Sequence, residues 1–111
     1  MKGELKAGVH IVRVFKARAK AGKESELATK LATTSVGVVK DKAGFIGYFA
    51  GQPAEAGRRE FIFITMWRHF LALREVFGDN WRESFLPPGY AYIIEEHSIE
   101  HFELTDEFFA R

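Results

Sequence analysis

A chain of 111 residues, 47% apolar and 28% charged, has room for one core and the composition of an ordinary globular domain. The absence of Cys excludes a disulfide framework and any thiolate ligand or nucleophile, and a net charge of +1 gives no bulk attraction for nucleic acid. No apolar run approaches the roughly 20 residues of a membrane span, and MKGELKAGVH lacks the apolar stretch of a signal peptide, so a cytoplasmic protein with no membrane partner is expected.

Two features stand out from this background. The first is an aromatic surplus of 11 Phe, 3 Tyr and 2 Trp. The second is a hidden charge polarity: residues 1–42 carry 10 Lys+Arg and 4 Asp+Glu, a net +6, whereas residues 90–111 carry 1 and 6, a net −5. Blocks of opposite sign pair if the terminal strands lie side by side; otherwise they are two solvated faces.

Residues 8–16 (GVHIVRVFK) are rich in Val, Ile and Phe and read as a strand, with His10 and Arg13 on opposite faces. Gly22 breaks the chain. Glu24 and Glu26 then favour the positive end of a helix, in which Leu27, Leu31, Thr34 or Ser35, and Val38 recur at helical spacing. GFIGYFAG reads as a second strand whose glycines mark bulges or close backbone approach. EFIFITMW (60–67) is a third strand, with Phe61, Phe63, Thr65 and Trp67 on one face and Ile62, Ile64 and Met66 on the other. RHFLALREVFG is a second helix with Gly78 as its C-cap, and NWRESFL a short turn ended by Pro87-Pro88-Gly89. YAYIIEEHSIEHFEL (90–104) is a last strand, overlong for one sheet.

The order strand–helix–strand–strand–helix–strand, with no repeat or linker, predicts a single α+β domain of the ferredoxin-like βαββαβ type. This is a four-stranded antiparallel sheet with two helices on one face. Strands one and three are apolar on both faces, yet the helices cover only one. The other face needs a partner, and the same sheet of a second copy is the simplest; the overlong last strand suits an arm exchanged across that homodimer.

With this order in place, the chain resembles the antibiotic biosynthesis monooxygenase-like family of dimeric α+β barrels. The resemblance rests on the helix start Gly22-Lys23-x-x-Glu26, on GFIGY (44–48), on a third strand whose Trp67 runs directly into a helix, and on the long final strand. It spans residues 8–104, the core of one domain over 1–111. It implies a homodimer with a sheet–helix pocket in each subunit. The activity it implies is cofactor-independent oxygenation of a planar phenol- or quinol-like molecule; a non-catalytic ligand-binding or stress-response dimer of the same fold is the alternative, so whether the chain is an enzyme stays open. The haem-degrading branch is a poor match, because Phe77 occupies the region of its ligating His and the nearest helical His is His69. No cofactor is expected.

Trp67 is the first site candidate, as a wall that stacks on a flat ligand and donates its indole N–H; the competing reading is a core aromatic. Phe63, Thr65, Phe70, Phe77 and Trp81 complete the expected substrate-binding set, with Phe85 nearby and Tyr48 as a further polar group. His10 and Arg13 are the catalytic candidates, as an acid–base group and as the holder of a phenolate or carboxylate. Only one of the two faces the helices, and the alternative for Arg13 is a charge reaching toward the last strand's glutamates. His97 and His101 share a strand face about 13 Å apart, too far to chelate one ion, so no metal site is expected. His97, Glu100 and His101 read as solvated or interface residues. RNA-binding modules share this element order, but strand three lacks their basic-Gly-aromatic pattern, so no nucleic-acid partner is expected.

Overall fold

The computed structural model of the chain describes residues 8–110. The reading of the N-terminal residues as free of a signal peptide rests mostly on 1–7, outside the described residues. The elements run β1 (Ile11–Ala19), α1 (Glu24–Lys30), a π-helical turn (Leu31–Ser35), α2 (Val36–Val39), β2 (Phe45–Gly51), β3 (Glu60–Trp67), α3 (Phe70–Phe77), a 3-10 turn (Gly78–Asn80) and β4 (Ile94–Glu103). The sheet order is β2-β3-β1-β4, antiparallel throughout. This is the ferredoxin-like arrangement the element order predicts.

Alternation in β1 sorts the side chains cleanly. Ile11, Arg13, Phe15, Ala17 and Ala19 are buried, whereas Val12, Val14 and Arg18 are partly exposed and Lys16 exposed. The β1–β3 register sets Arg13 opposite Thr65, Phe15 opposite Phe63 and Ile11 opposite Trp67, so the buried residues of both central strands share the face that packs on the helices. Leu27, Leu31, Val39 and Leu73 reach down from the helical layer to meet them.

The first helix is continuous over 24–39 but changes pitch in the middle. Thr33 Oγ1 donates to the carbonyl of Thr29 at 2.8 Å, a competing bond four residues back that loosens a helix, and the residues around it form the π turn. A bulge between Phe45 and Gly47 has a comparable effect on β2. It lets Phe45 pair with Trp67 and Tyr48 with Thr65, so both rings lie on the helix side; Phe45 packs 5.3 Å from Trp67 and Tyr48 stacks 5.6 Å from Phe63.

Several boundaries differ from the sequence reading, beginning with β1, which starts at Ile11 rather than Gly8. Strand β1 runs on to Ala19, where Lys20 N–H bonds the Ile93 carbonyl. His69 lies outside α3 as its N-cap, its Nδ1 accepting from Ala72 N–H at 3.2 Å. Residues 90–93 are a turn closed by Tyr90 N–H to Pro87 carbonyl and Ile93 N–H to Tyr90 carbonyl, so β4 starts at Ile94. The Pro-Pro-Gly brake before it forces that turn. The charge polarity resolves as pairing: β1 and β4 adjoin, Arg18 bonds Glu95 at 2.9 Å and also Glu96, and Arg59 reaches Glu95 at 3.2 Å.

The far side of the sheet carries Val12, Val14, Ile62, Ile64 and Met66, all partly exposed, flanked by Phe49 at 61% and Phe102 at 51% exposure.

Candidate functional site

Between the sheet and the helices a cleft opens around Arg13. Its volume is about 440 Å³ including the open mouth, and its enclosed part about 40 Å³, space for a few water molecules. Phe15, Phe63, Phe77 and Phe85 form aromatic walls, and Val38, Val39, Pro87 and Ile99 fill the gaps between them. The polar lining is Arg13 and Thr65 on the sheet, with Ser35 and Tyr90 facing from the helical layer and the loop beyond it.

Arg13 is 5% exposed. Its Nη1 donates to the Trp81 carbonyl at 2.6 Å and to His101 Nε2 at 3.0 Å, and Nη2 donates to the Glu83 carbonyl at 3.1 Å. Its carbon sits 3.8 Å from the centre of the Phe77 ring. The two carbonyls follow the 3-10 turn, where helix-end acceptors lack an intrahelical donor. Among the described residues no carboxylate lies within 4 Å of the guanidinium. Burial pulls its pKa down to about 10, which still leaves it a cation at neutral pH. Three of the five guanidinium N–H groups are used, so two remain.

His101 is fixed by this arrangement. Arginine has no lone pair to offer, so Nε2 must be the acceptor and the proton sits on Nδ1 of a neutral ring. Burial, then the positive charges of Arg13 and Arg82, lowers its pKa to about 4. The ring packs edge-on against Trp81, 4.9 Å between centres.

The predicted site residues are distributed unevenly around this centre. Arg13, Phe63, Thr65 and Phe77 line the cleft. Trp67 does not: it is fully buried beneath the floor, its Nε1–H donating to Thr65 Oγ1 at 2.9 Å and its ring edge-on to Phe77. Phe70 packs on Trp81, and Trp81 contributes its backbone carbonyl to Arg13 rather than a wall. His10 precedes β1 with the parity of Val12, on the far side of the sheet. Its Nδ1 is 2.6 Å from Glu107 Oε2, close enough for an ion pair when the ring is protonated but off the line of a hydrogen bond. The carboxylate partner that the alternative reading gives Arg13 is not found among the described residues; the last strand's Glu100, opposite Val14, points to the other face.

Ser35, Tyr90 and His101 were not singled out as site residues by sequence. The signal for His101 was present in parity: its register partner is Arg13. Ser35 and Tyr90 are brought together across 55 residues by the π turn and the loop after Pro88, which periodicity does not encode. Tyr90 O–H donates to the Lys30 carbonyl at 2.9 Å and lies 2.6 Å from Ser35 Oγ, with burial pushing its pKa up.

Among the described residues no group of three or more potential ligands is placed to hold a metal ion, and no helix is long and apolar enough to cross a membrane. The fold matches solved structures closely despite low sequence identity. A Shewanella oneidensis protein superposes with a TM-score of 0.71 at 20% identity, covering 91% of this chain and 97% of its own. A Pseudomonas aeruginosa protein gives 0.70 at 17% identity, with 91% and 99% covered. The heme-degrading protein of Mycobacterium tuberculosis gives 0.64 at 19% identity, with 93% and 99% covered. Comparison with curated proteins gives no match. The model of one family, antibiotic biosynthesis monooxygenase, matches residues 10–84, which include both central strands and all the helices, and the chain belongs to that family.

Proposed function

We propose that this chain is a homodimeric, cofactor-independent monooxygenase whose cleft binds a planar phenol- or quinol-like molecule with its deprotonated oxygen on Arg13. The observation that carries this reading is a buried guanidinium with no carboxylate partner among the described residues, lining an aromatic-walled cleft. A buried cation is costly unless an anion completes it, and two free N–H groups on a planar fork suit an oxyanion. Family membership supports an oxygenase-type or ligand-binding role.

In this reading the protein lowers the energy of the substrate anion and holds its ring between Phe63 and Phe77. For a substrate with an activated CH2, such as an anthrone, loss of one proton gives an electron-rich carbanion that is resonance-stabilised as an oxyanion. The carbanion reduces O2 and forms the new C–O bond of a peroxide. The peroxide takes up one proton, and its O–O bond then breaks as the second C–H proton leaves and joins the departing hydroxide, giving a ketone and one water. One O2 is consumed per substrate, both electrons pairs of the balance come from the substrate, and no external reductant is needed.

Haem, which the Mycobacterium tuberculosis neighbour binds in another of its structures, does not fit these residues. Phe77 stands on the cleft wall, no His lines it, His101 Nε2 is held by Arg13, and His69 Nδ1 caps α3.

Oxygen uptake with a panel of anthrones and quinols tests the proposal. One O2 consumed per substrate, at a rate well above autoxidation and strongly reduced in Arg13→Met, is expected. Tight binding without uptake by any of them would leave only the ligand-binding dimer. Neither binding nor uptake would overturn both.

A further inference from the structure

The hydrogen inventory of the cleft goes beyond Arg13. On the sheet wall, Trp67 Nε1–H is a donor only, so Thr65 Oγ1 must accept it. The hydrogen of Thr65 then has no acceptor among the described residues, and at 2% exposure it is shielded from bulk water. Thr65 is the cross-strand partner of Arg13 in the β1–β3 ladder, and both residues line the same cleft. The facing wall has the opposite polarity. Tyr90 has a single hydrogen, donated to the Lys30 carbonyl, so the 2.6 Å contact with Ser35 is made by the Ser35 hydrogen. Ser35 is left with lone pairs only, on a residue that lines the same cleft.

We propose that the cleft is bipolar: Arg13 and the Thr65 hydroxyl donate to an oxyanion on the sheet side, and Ser35 accepts from a hydroxyl on the helix side. It therefore selects planar aromatics that carry an anionic oxygen on one edge and a separate hydroxyl on the opposite one. This rests on the proposed ligand site and narrows its substrate class. It also gives Trp67 a role without contact: its indole fixes which way the Thr65 hydrogen points, making it a positioning residue.

Three probes of one size separate the two poles: 2-naphthoate, 2-naphthol and 6-hydroxy-2-naphthoate, titrated by calorimetry at about pH 7.5, where the carboxylates are ionised and the naphthols neutral. The hydroxynaphthoate is expected to bind about tenfold tighter than 2-naphthoate, the worth of one added hydrogen bond, and tighter by a larger factor than 2-naphthol, which lacks the anionic group. Thr65→Val should weaken both carboxylates about tenfold and 2-naphthol little, while Thr65→Ser, which keeps the hydroxyl, binds as the parent does. Ser35→Ala should erase the advantage of the hydroxynaphthoate over 2-naphthoate and leave 2-naphthoate itself unchanged. If Thr65→Val and Ser35→Ala keep the parent's ranking while Arg13→Met loses the carboxylates, the bipolar cleft is wrong and the ligand site stands. If Arg13→Met also binds as the parent, or no probe binds, both fall.

Discussion

Nη1 of Arg13 lies 3.0 Å from Nε2 of His101, and the two residues face each other across the β1–β4 ladder. Protonation of His101 would turn its acceptor into a second donor and set two cations side by side. The folded state therefore keeps the ring neutral down to about pH 4, whereas the unfolded chain protonates it near 6.5. Between these values the unfolded state binds more protons, so stability falls as pH drops from about 6.5 to about 4. The Arg18–Glu95 pair acts lower, because the Glu95 carboxyl is held below its ordinary 4.5. Thermal melts across this range should show a first loss of stability above pH 4.5 that His101→Gln, which keeps a neutral acceptor, removes. Persistence of that step in His101→Gln would assign it elsewhere.

Replacing Arg13 by Met sets two effects against each other. It removes a desolvated cation, and it leaves the Trp81 and Glu83 carbonyls without donors. The expected outcome is a melting temperature within a few degrees of the parent, since each effect is of order 1–3 kcal/mol, together with at least a tenfold loss in affinity for an anionic aromatic. Such a separation of stability from binding is the signature of a residue kept for its ligand. A large drop in melting temperature with unchanged probe binding would make Arg13 structural.

Much of this was legible because strand parity is a strict code. Alternation placed Phe63, Thr65 and Trp67 on one face and Ile62, Ile64 and Met66 on the other, and the element order then fixed the topology. Parity also required that one of His10 and Arg13 face the helices, without naming which; the register opposite Thr65 decides for Arg13. What lay beyond the sequence depends on depth and on irregular backbone. Trp67 and Thr65 share a face, but only their depth in the folded chain puts the indole under the floor and the hydroxyl in it. Ser35 reaches Tyr90 through a π turn, and helical periodicity assumes a pitch that this turn does not keep.

Gly44 stands where β2 begins beneath α3, with φ at +83°, and its carbonyl accepts from Arg68 N–H at 2.8 Å. A Cβ there would overlap the Cβ of Ala72, so both the left-handed backbone and the close approach require glycine. Gly44→Ala is expected to cost about 2 kcal/mol or more, read from denaturant midpoints, by pushing α3 away from the sheet. Gly57 has a similar φ of +85° but nothing within 4 Å of its added Cβ, so Gly57→Ala should cost only the backbone strain. Equal costs at the two positions would deny the role of the α3 contact.

Trp67→Phe removes the indole N–H while keeping a ring in the core. About 1–3 kcal/mol of stability should be lost through the smaller side chain and the broken bond to Thr65. The more telling outcome concerns binding. Freed from its acceptor role, the Thr65 hydroxyl no longer has a fixed direction, so affinity for an anionic probe should fall several-fold while that for a neutral one of the same size holds. A uniform loss for both would mean that Trp67 acts through cleft shape alone.

Ile64 is the centre of the uncovered sheet face, on β3 between Val14 of β1 and Phe49 of β2. Val12, Ile62 and Met66 extend the same apolar surface, and Phe102 borders it from β4. Monomeric proteins seldom leave a contiguous patch of this kind open, and a twofold pairing of sheets buries it against itself. Sedimentation at micromolar concentration should therefore give the mass of two chains. Ile64→Lys places two like charges near the axis of such a dimer and should shift it to monomer at the same concentration. The cleft lies on the other side of the sheet, so probe binding per chain should survive in the monomer unless the second copy also shapes the site. A parent chain that sediments as a monomer would overturn the pairing outright.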